Sequence, residues 1–500
     1  MEPVIERTRP AGAGRKGAAP GREGPGTEIA APGVKVPELA GSLTATVGEY
    51  ARPAPTVAAD ATVAEAARAM READASAGLV GRPRPTGIVT DSDLRSRVVA
   101  EGLDPATPAR HVMSRPLRTL DARTPLYGAL LMMLEDDVHH VPVVRGGEVV
   151  GVVSEHDLLR RQVRGPLMLL GRTQSIDSPT ALEGYAEGIA ATAESLLAGG
   201  LEPVRIARVI ASLNDVLTRR LVRLAEAELG EPPCDYAWLA LGSEGRMEQV
   251  LLSDQDNALA FADASDEARR YFEALAERVV GGLLRAGFPP CPGGYMATNW
   301  CLSLDEWRRR FLGWVAVPGP QALLQAEVFL DFRPVCGELS LESLDDALLE
   351  GARRPLFLAQ LARAATKFAP PLGRLRRIRS IGGRVDLKRG GIAAIVLLAR
   401  LHSLAVGSTA RSTLERLRHA AEGGALSTVG SDDLSNSFRL LMRIRLREQL
   451  RMRAAGRVPE DRVPLDDLSP LERRWLRDAL QTVAEAQRSV GARFHTESIA

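Results

Sequence analysis

Lysine is almost missing from this 500-residue chain: only Lys16, Lys35, Lys367 and Lys388 occur among 64 basic residues, against 63 acidic ones. The formal net charge of +1 leaves no global field to draw the protein onto nucleic acid or an anionic membrane. The arginine excess would suit phosphate, which a guanidinium grips with two parallel donors. It accompanies abundant Ala and Gly, however, and reads first as a coding bias. Cysteine is scarce as well. Cys234, Cys291, Cys301 and Cys336 form no C-x-x-C pair, which excludes a zinc ribbon and a thioredoxin-like motif. Four cysteines in 500 residues make no disulfide scaffold, and a reducing compartment is expected. The most apolar stretch, residues 391–399, falls far short of the ~20 residues a membrane span needs. The N-terminus has no apolar signal-peptide core. The expectation is a cytoplasmic protein without a membrane segment. What is present is an ordinary globular balance, 45% hydrophobic and 25% charged, at a length that suggests roughly three domains.

The text changes character along the chain. Residues 1–42 are expected to be a disordered tail, because the first 40 hold thirteen Gly or Pro and no aromatic, too little apolar surface to offset ordering entropy. An internal repeat occupies 43–165. Asp60 matches Asp121, Gly87 matches Gly151 and Asp93 matches Asp157, and each unit reads β-α-β-β-α. In the first unit "ASAGLVGRPRPTG" offers no apolar strand to match "HHVPVVRGGEVVG" of the second. Residues 175–230 read as a helical hairpin, from about Pro179 to Gly199-Gly200 and from Pro203 to Gly230. Strand text returns over 231–345, with a helix at about 265–286, and 346–500 is mostly helical.

Both repeat units end alike, "GIVTDSD" and "GVVSEHD", with Thr90 or Ser154 followed three residues later by Asp93 or Asp157. A hydroxyl and an acid where strand gives way to helix suit phosphate at free backbone N–H groups and a ribose diol at the carboxylate. They equally suit simple helix capping. The repeat resembles the CBS domain, which occurs in tandem pairs that bind adenine nucleotides or related ligands. The resemblance implies ribose contacts from Asp93 and Asp157, phosphate or cap contacts from Thr90 and Ser154, and a homodimer through the CBS pair. His139 and His140 have no third ligand nearby and read as ordinary strand residues.

The chemistry-bearing stretch is "LGSEGRMEQVLLSDQDNALAF". Gly242-Ser243 ends a strand in a tight turn that a phosphate can approach. Asp254 and Asp256 are two apart, so a strand would place both carboxylates on one face. Such a pair repels itself unless divalent cations intervene, and near a phosphate-binding turn it suits two-metal phosphoryl or nucleotidyl transfer. Asp331, in the apolar strand candidate "QAEVFLDFRPV", is the favoured third carboxylate, because an acid there is costly unless paired or metal-bound. Asp263 and Asp305 are rivals in exposed text. The stretch resembles the nucleotidyltransferase superfamily of DNA polymerase β. It is most similar to bacterial nucleotidyltransferases found beside CBS pairs, relatives of the nucleotidyltransferase domain of PII-protein uridylyltransferases, and "DFRPV" and "VDLKRGGIAAIVLLARLHSL" match too. The resemblance implies that Gly242, Ser243 and Arg246 hold an NTP, and that Asp254, Asp256 and Asp331 bind two Mg²⁺ ions. The same resemblance makes Asp331 a candidate base for the acceptor's proton. A structural ion pair of Arg246 with Glu248 or Asp254 is the alternative. Full PII uridylyltransferases also carry an HD hydrolase and ligand-sensing domains; the only His-Asp dipeptide here is His156-Asp157 in the second CBS unit, so no hydrolase is expected, and the sensing role would fall to the CBS pair.

Residues 353–389 carry eleven Lys or Arg and one acid, Asp386, densest at Arg374, Arg376, Arg377 and Arg379. This reads first as a solvated helical face. Without interleaved aromatics, nucleic-acid stacking has no support. Asp386 and Lys388 could face the active-site cleft. The expected architecture is α+β and multidomain: a tandem CBS pair, a helical hairpin, a polymerase β-like nucleotidyltransferase mixed sheet and a C-terminal helical bundle. The expected function is transfer of an NMP, UMP being one candidate, from an NTP to a hydroxyl on a PII-like protein or a small molecule, under control of adenine nucleotide at the CBS pair. The alternatives are a catalytically inactive nucleotide sensor and, ranked lower, a tRNA end-adding enzyme.

Overall fold

The computed structural model describes residues 45–160, 164–251, 254–316, 327–373 and 377–496. The expected tail and Arg374 and Arg376 lie outside the described residues. The architecture is mixed α and β, with two small CBS sheets, a four-stranded mixed sheet and a helical C-terminal region.

Each CBS copy contains one parallel and one antiparallel strand pair. In the first, β1 (Thr56–Val57) runs parallel to β2 (Ala77–Val80), which pairs antiparallel with β3 (Gly87–Thr90). In the second, β4 (Leu120–Asp121), β5 (His140–Arg145) and β6 (Glu148–Ser154) repeat the order. The intervening helices are Val63–Glu72 and Leu126–Asp136. The first starts on a capping box, Thr62 with Glu65, which satisfies two backbone donors that have no partner inside the helix. The strand that the first copy was expected to lack is β2. It is only four residues long but buried throughout, and Gly81 at φ +115° ends it in a turn that favours glycine.

The helical region departs slightly from the expected hairpin. A helix at Arg164–Gln174 precedes it, and Pro179–Leu182 is a 3₁₀ turn. The first long helix begins only at Tyr185, after Gly184 at φ +77°, and ends at Ala198. The second, Pro203–Leu229, places Pro203 in its first turn, where the missing N–H costs nothing. Its buried residues recur on both flanks, so it packs between neighbours rather than on one.

The mixed sheet has the order β10-β7-β8-β9, from β7 (Tyr236–Ala240), β8 (Asn257–Phe261), β9 (Cys301–Ser303) and β10 (Arg333–Cys336). Every residue of β7 and β8 is buried, which fits their unbroken apolar text. The expected helix is present as Asp266–Arg285, capped by Ser265. "QAEVFLDFRPV" is not one strand: residues 327–329 are helical, Asp331 lies in a turn, and only Arg333–Cys336 pairs with β7. Aromatics make up only 4% of the chain, yet Trp300, Trp307, Trp314, Phe311, Phe329 and Phe332 are gathered in one cluster beside β9. The C-terminal region contains two 25- to 27-residue helices, Thr428–Ala454 and Pro470–Phe494, with the buried helix Ala393–Ala405. It also forms a short antiparallel ribbon, β11 (Arg384–Asp386) with β12 (Arg462–Pro464), which the sequence did not suggest. Among the described residues, no helix is long and apolar enough to cross a membrane.

Candidate functional site

The Gly-Ser turn and the two aspartates meet at one end of the mixed sheet. Leu241, just past β7, donates its N–H to the carbonyl of Asp256 at 2.9 Å, so the turn is fastened beside the acid pair. Gly242 sits at φ +54°, and a Cβ there would come within 3.1 Å of Asp256 Oδ2. Both the conformation and the close approach favour glycine. Ser243 follows in the same turn, whose final Gly245 is packed so tightly that a Cβ would lie 1.7 Å from the carbonyl oxygen of Asp331.

Asp254 and Asp256 precede β8 rather than lying on it, but period-two geometry survives. Gln255 between them is buried and bridges to Pro290, while the flanking carboxylates face together. A third donor joins them. One ligand atom each from Asp254, Asp256 and Cys291 all lie within 4.8 Å of one another. Cys291 rides on a loop held against the acid pair by backbone bonds, from Gln255 N–H to the Pro289 carbonyl (3.1 Å) and from Asn257 N–H to that of Tyr295 (3.0 Å). Asn257 Oδ1 also accepts from Ala297 N–H at 2.8 Å. No spacing in the sequence connects Cys291 with the acids, and the only local signal was a cysteine fixed between two prolines.

The electrostatics fit a cation. Asp256 Oδ1 is buried and has no hydrogen-bond partner among the described residues. Burial, reinforced by the charge of Asp254, pushes the Asp256 carboxyl up to about 6, although the Cys291 thiol, Lys388 and Arg246 act in the opposite direction. Burial and the same carboxylate push the Cys291 thiol up to about 12. Glu244, in the Gly-Ser turn, is pushed up to about 8 by burial and by Asp215, with a smaller contribution from Asp256. A buried oxygen without a protein partner among the described residues, on a carboxyl whose ionisation burial and a neighbouring acid oppose, suits a divalent ion. Lys388 Nζ lies 3.7 Å from Asp461 Oδ2 and acts on Asp256 only through its charge, while Asp386 Oδ1 accepts from Arg389 N–H at 2.9 Å.

Asp331 does not join them, and its assignment as third metal ligand is corrected. Its carboxylate is fully buried and spent on three guanidiniums. Oδ2 accepts from Arg246 Nη1 and Arg400 Nη2, both at 2.5 Å, and Oδ1 accepts from Arg416 Nη2 at 2.6 Å. Burial alone would raise its pKa, but Arg400, Arg416 and Arg246 overcome this and hold it well below the usual carboxylate range. A carboxylate so held is neither a metal ligand nor a base. The cost of burying an acid in apolar surroundings is met by cations, and these come from one turn and two helices that local sequence cannot place beside it.

Arg246 is likewise corrected. It pairs with Asp331 and, through Nε, with Glu248 Oε2 at 2.8 Å, so its expected phosphate contact gives way to the structural ion pair with Glu248. Glu248 in turn accepts from the N–H of Thr413 (2.5 Å) and from its hydroxyl (2.9 Å), at the start of the helix Thr413–Glu422. The second half of "GSEGRMEQ" is therefore a clamp between the sheet and the C-terminal helices.

In the CBS pair the hydroxyls and acids cap their helices. Asp93 Oδ2 accepts from Thr90 N–H (2.9 Å) and its hydroxyl (2.8 Å), and Asp157 Oδ2 accepts from Ser154 N–H (3.0 Å) and its hydroxyl (2.6 Å). The other oxygens are ion-paired, Asp157 with Arg52 at 2.7 Å and Asp93 with Arg97 at 3.3 Å. His139 pairs with Glu155 at 2.7 Å, and His140 Nε2 meets Ser76 Oγ of the first copy at 2.7 Å. Among the described residues, neither histidine belongs to a cluster able to hold a metal.

Three family models match parts of the chain. Residues 187–321 match the family described as "Putative nucleotidyltransferase DUF294", residues 355–494 the "Putative nucleotidyltransferase substrate binding domain", and residues 47–100 and 109–164 the CBS domain. The chain is 31% identical over 119 residues to the uncharacterized protein MK0525 of Methanopyrus kandleri, which is 23% of this chain and 61% of that protein. It is 32% identical over 124 residues to Hypoxic response protein 1 of Mycobacterium tuberculosis, 24% of this chain and 85% of that protein. The solved CBS domain protein PAE2072 from Pyrobaculum aerophilum, complexed with AMP, is 29% identical with a TM-score of 0.22, over 23% of this chain and 89% of that one. The chain belongs to the CBS-domain proteins, and joins its CBS pair to a DUF294 nucleotidyltransferase domain and the C-terminal substrate-binding domain that accompanies it.

Proposed function

We propose that the protein transfers a nucleoside monophosphate from an NTP to a hydroxyl of a protein or small-molecule acceptor, with Asp254 and Asp256 as the metal-binding carboxylates. The observation that carries this reading is the meeting of Gly242 with Asp256 Oδ2, beside a second carboxylate and a buried, unpartnered oxygen. Magnesium ions held there would neutralise the charge developing on the transferred phosphoryl group. The backbone of the Gly242-Ser243 turn would receive the triphosphate. Lys388 would add positive charge near the acid pair. The likeness to PII-protein uridylyltransferases makes UMP the first donor group, and a PII-like protein the first acceptor, to try.

The CBS pair would bind an adenine nucleotide and bias the transferase, in a homodimer formed through the pair. A ribose diol would displace Arg52 from Asp157 and Arg97 from Asp93. A physical route exists from there. On the helix Pro203–Leu229, Arg208 makes a two-pronged ion pair with Glu135 of the second CBS copy (2.9 and 3.1 Å), and Arg219 Nη2 donates to the Leu134 carbonyl at 2.9 Å. On the same helix Asp215 holds Arg333 of β10 through bonds of 2.8 and 2.9 Å. One rigid element thus grips both the sensor and the catalytic sheet, and coupling across such elements is typically ~1–3 kcal/mol.

The commitment of Asp331 to arginines favours a second reading, a nucleotide sensor with an inactive transferase site. Incubation with labelled NTPs, Mg²⁺ and lysate separates the two. Label transfer that is lost in Asp254→Asn and Asp256→Asn supports the enzyme. NTP binding with no transfer to any acceptor contradicts it.

A further inference from the structure

Cys291 is the one residue of the acid site that nucleotidyl transfer does not use. It is buried, and its sulfur lies in the same group of donor atoms as the carboxylates of Asp254 and Asp256, all within 4.8 Å. Two donors on one zinc ion, at ~2.0–2.2 Å for oxygen and ~2.3 Å for sulfur, can be at most ~4.5 Å apart, so small side-chain adjustments would bring all three onto a single ion. The thiol now hydrogen-bonds Asp256, and the backbone N–H groups of Gly293 and Tyr295 are directed at the same sulfur. The loop cannot easily withdraw, because Cys291 is flanked by Pro290 and Pro292 and the segment is bonded to Gln255 and Asn257. Asp256 Oδ1, buried and without a protein partner among the described residues, independently points to a ligand for this carboxylate.

We propose that Cys291 supplies a third, thiolate ligand beside Asp254 and Asp256, and that the site therefore binds a zinc-class divalent cation more tightly than magnesium. The inference rests on the reading that the two aspartates hold a metal, and deepens it by naming the class of ion. On binding, the S–H bond breaks, its proton leaves to solvent, and the sulfur lone pair forms the bond to the metal, with no change of oxidation state. Thiolate is a soft ligand that selects zinc and cadmium, whereas magnesium prefers oxygen alone. The consequence is a site that magnesium occupies in the working enzyme and that trace zinc would compete for.

The test is titration of the full chain with Cd²⁺, read by the near-ultraviolet thiolate-to-metal absorption. The expected result is a band that saturates at one equivalent, disappears in Cys291→Ser and is displaced by Zn²⁺ but not by equal Mg²⁺. Comparison with Cys291→Ser removes any contribution from Cys234, Cys301 and Cys336. Zn²⁺ affinity should fall in Cys291→Ser by at least ~10–100-fold, the loss that even outer-shell changes around a metal produce. If Asp254→Asn and Asp256→Asn abolish Mn²⁺ binding while Cys291→Ser leaves the Cd²⁺ band unchanged, this inference is overturned and the aspartate reading stands. If no divalent ion binds at all, both fall. Should Cys291→Ser not fold, alkylation of Cys291 in the unmodified chain, mapped by peptide mass, gives a second readout. Zn²⁺ should slow it and Mg²⁺ should not, and equal rates would overturn the proposal.

Discussion

Two sets of acids, one fully buried and one half-buried, sit close together at the Gly-Ser turn and have opposite fates. Asp331 is surrounded by Arg246, Arg400 and Arg416, and its charge is compensated within the fold. Asp254 and Asp256 have each other and a thiol, and Asp256 keeps an oxygen without a protein partner among the described residues. Satisfied acids hold structure together, and acids left unsatisfied at a cost to stability point to a ligand. The contrast also separates the two halves of the signature motif. Gly242 serves the open site, whereas Arg246 and Glu248 serve the closed one.

The sharpest way to break this comparison is to exchange the fates of the two sets. Asp331→Asn would leave three buried guanidiniums without their shared counter-ion, and removing one partner of such a network costs ~3–5 kcal/mol. Arg400 and Arg416 already carry buried donors without partners among the described residues, so little compensation is at hand. Thermal or denaturant unfolding should show the loss, with metal binding retained in whatever fraction stays folded.

Asp256→Asn should do the reverse. Folding raises this carboxyl from 3.8 to about 6, so the folded state keeps the proton longer than the unfolded chain does. Stability therefore falls as pH rises through that interval, and the full penalty applies above it. The substitution should raise metal-free stability by ~1–3 kcal/mol at about pH 8 and by almost nothing near about pH 4. It should also abolish Mn²⁺ binding. Unfolding curves at the two pH values check the first part, and calorimetric titration the second.

The same shift governs the wild-type metal affinity. Binding needs the ionised carboxylate, so Mn²⁺ affinity should be nearly flat above the Asp256 pKa of about 6 and weaken on acidification below it. The slope should approach ~tenfold per pH unit if one proton competes. A flat profile through the acid range would show that Asp256 is not a ligand. The smallest effect belongs to the sensor contact. Glu135→Ala removes the ion pair with Arg208 and should cost ≲ ~1 kcal/mol in stability, because the pair is partly exposed. It should nevertheless weaken the influence of an adenine nucleotide on transfer, measured as the ratio of rates with and without AMP.

What could be read from the sequence follows the range of the interactions involved. The CBS repeat was legible because its landmarks recur in order, and the Gly-Ser and D-x-D elements because a turn and a period-two pair are local. The sequence shows Asp331 as an acid that needs a partner, but its partners lie 69 and 85 residues away in the chain. Nothing local distinguishes arginines from a metal as the answer. Cys291 is illegible for the same reason, since only the folding of its loop onto Gln255 and Asn257 brings it to the acids. β2 is hard to read because four buried residues leave too short a pattern to recognise.

The most direct test of the central claim is an anomalous difference map from crystals grown with Mn²⁺ and a non-hydrolysable NTP. Manganese is predicted at carboxylate-bonding distance from Asp254 and Asp256, with Asp331 still bound to its three arginines. A peak on Asp331, with Arg246, Arg400 or Arg416 displaced, would contradict the account.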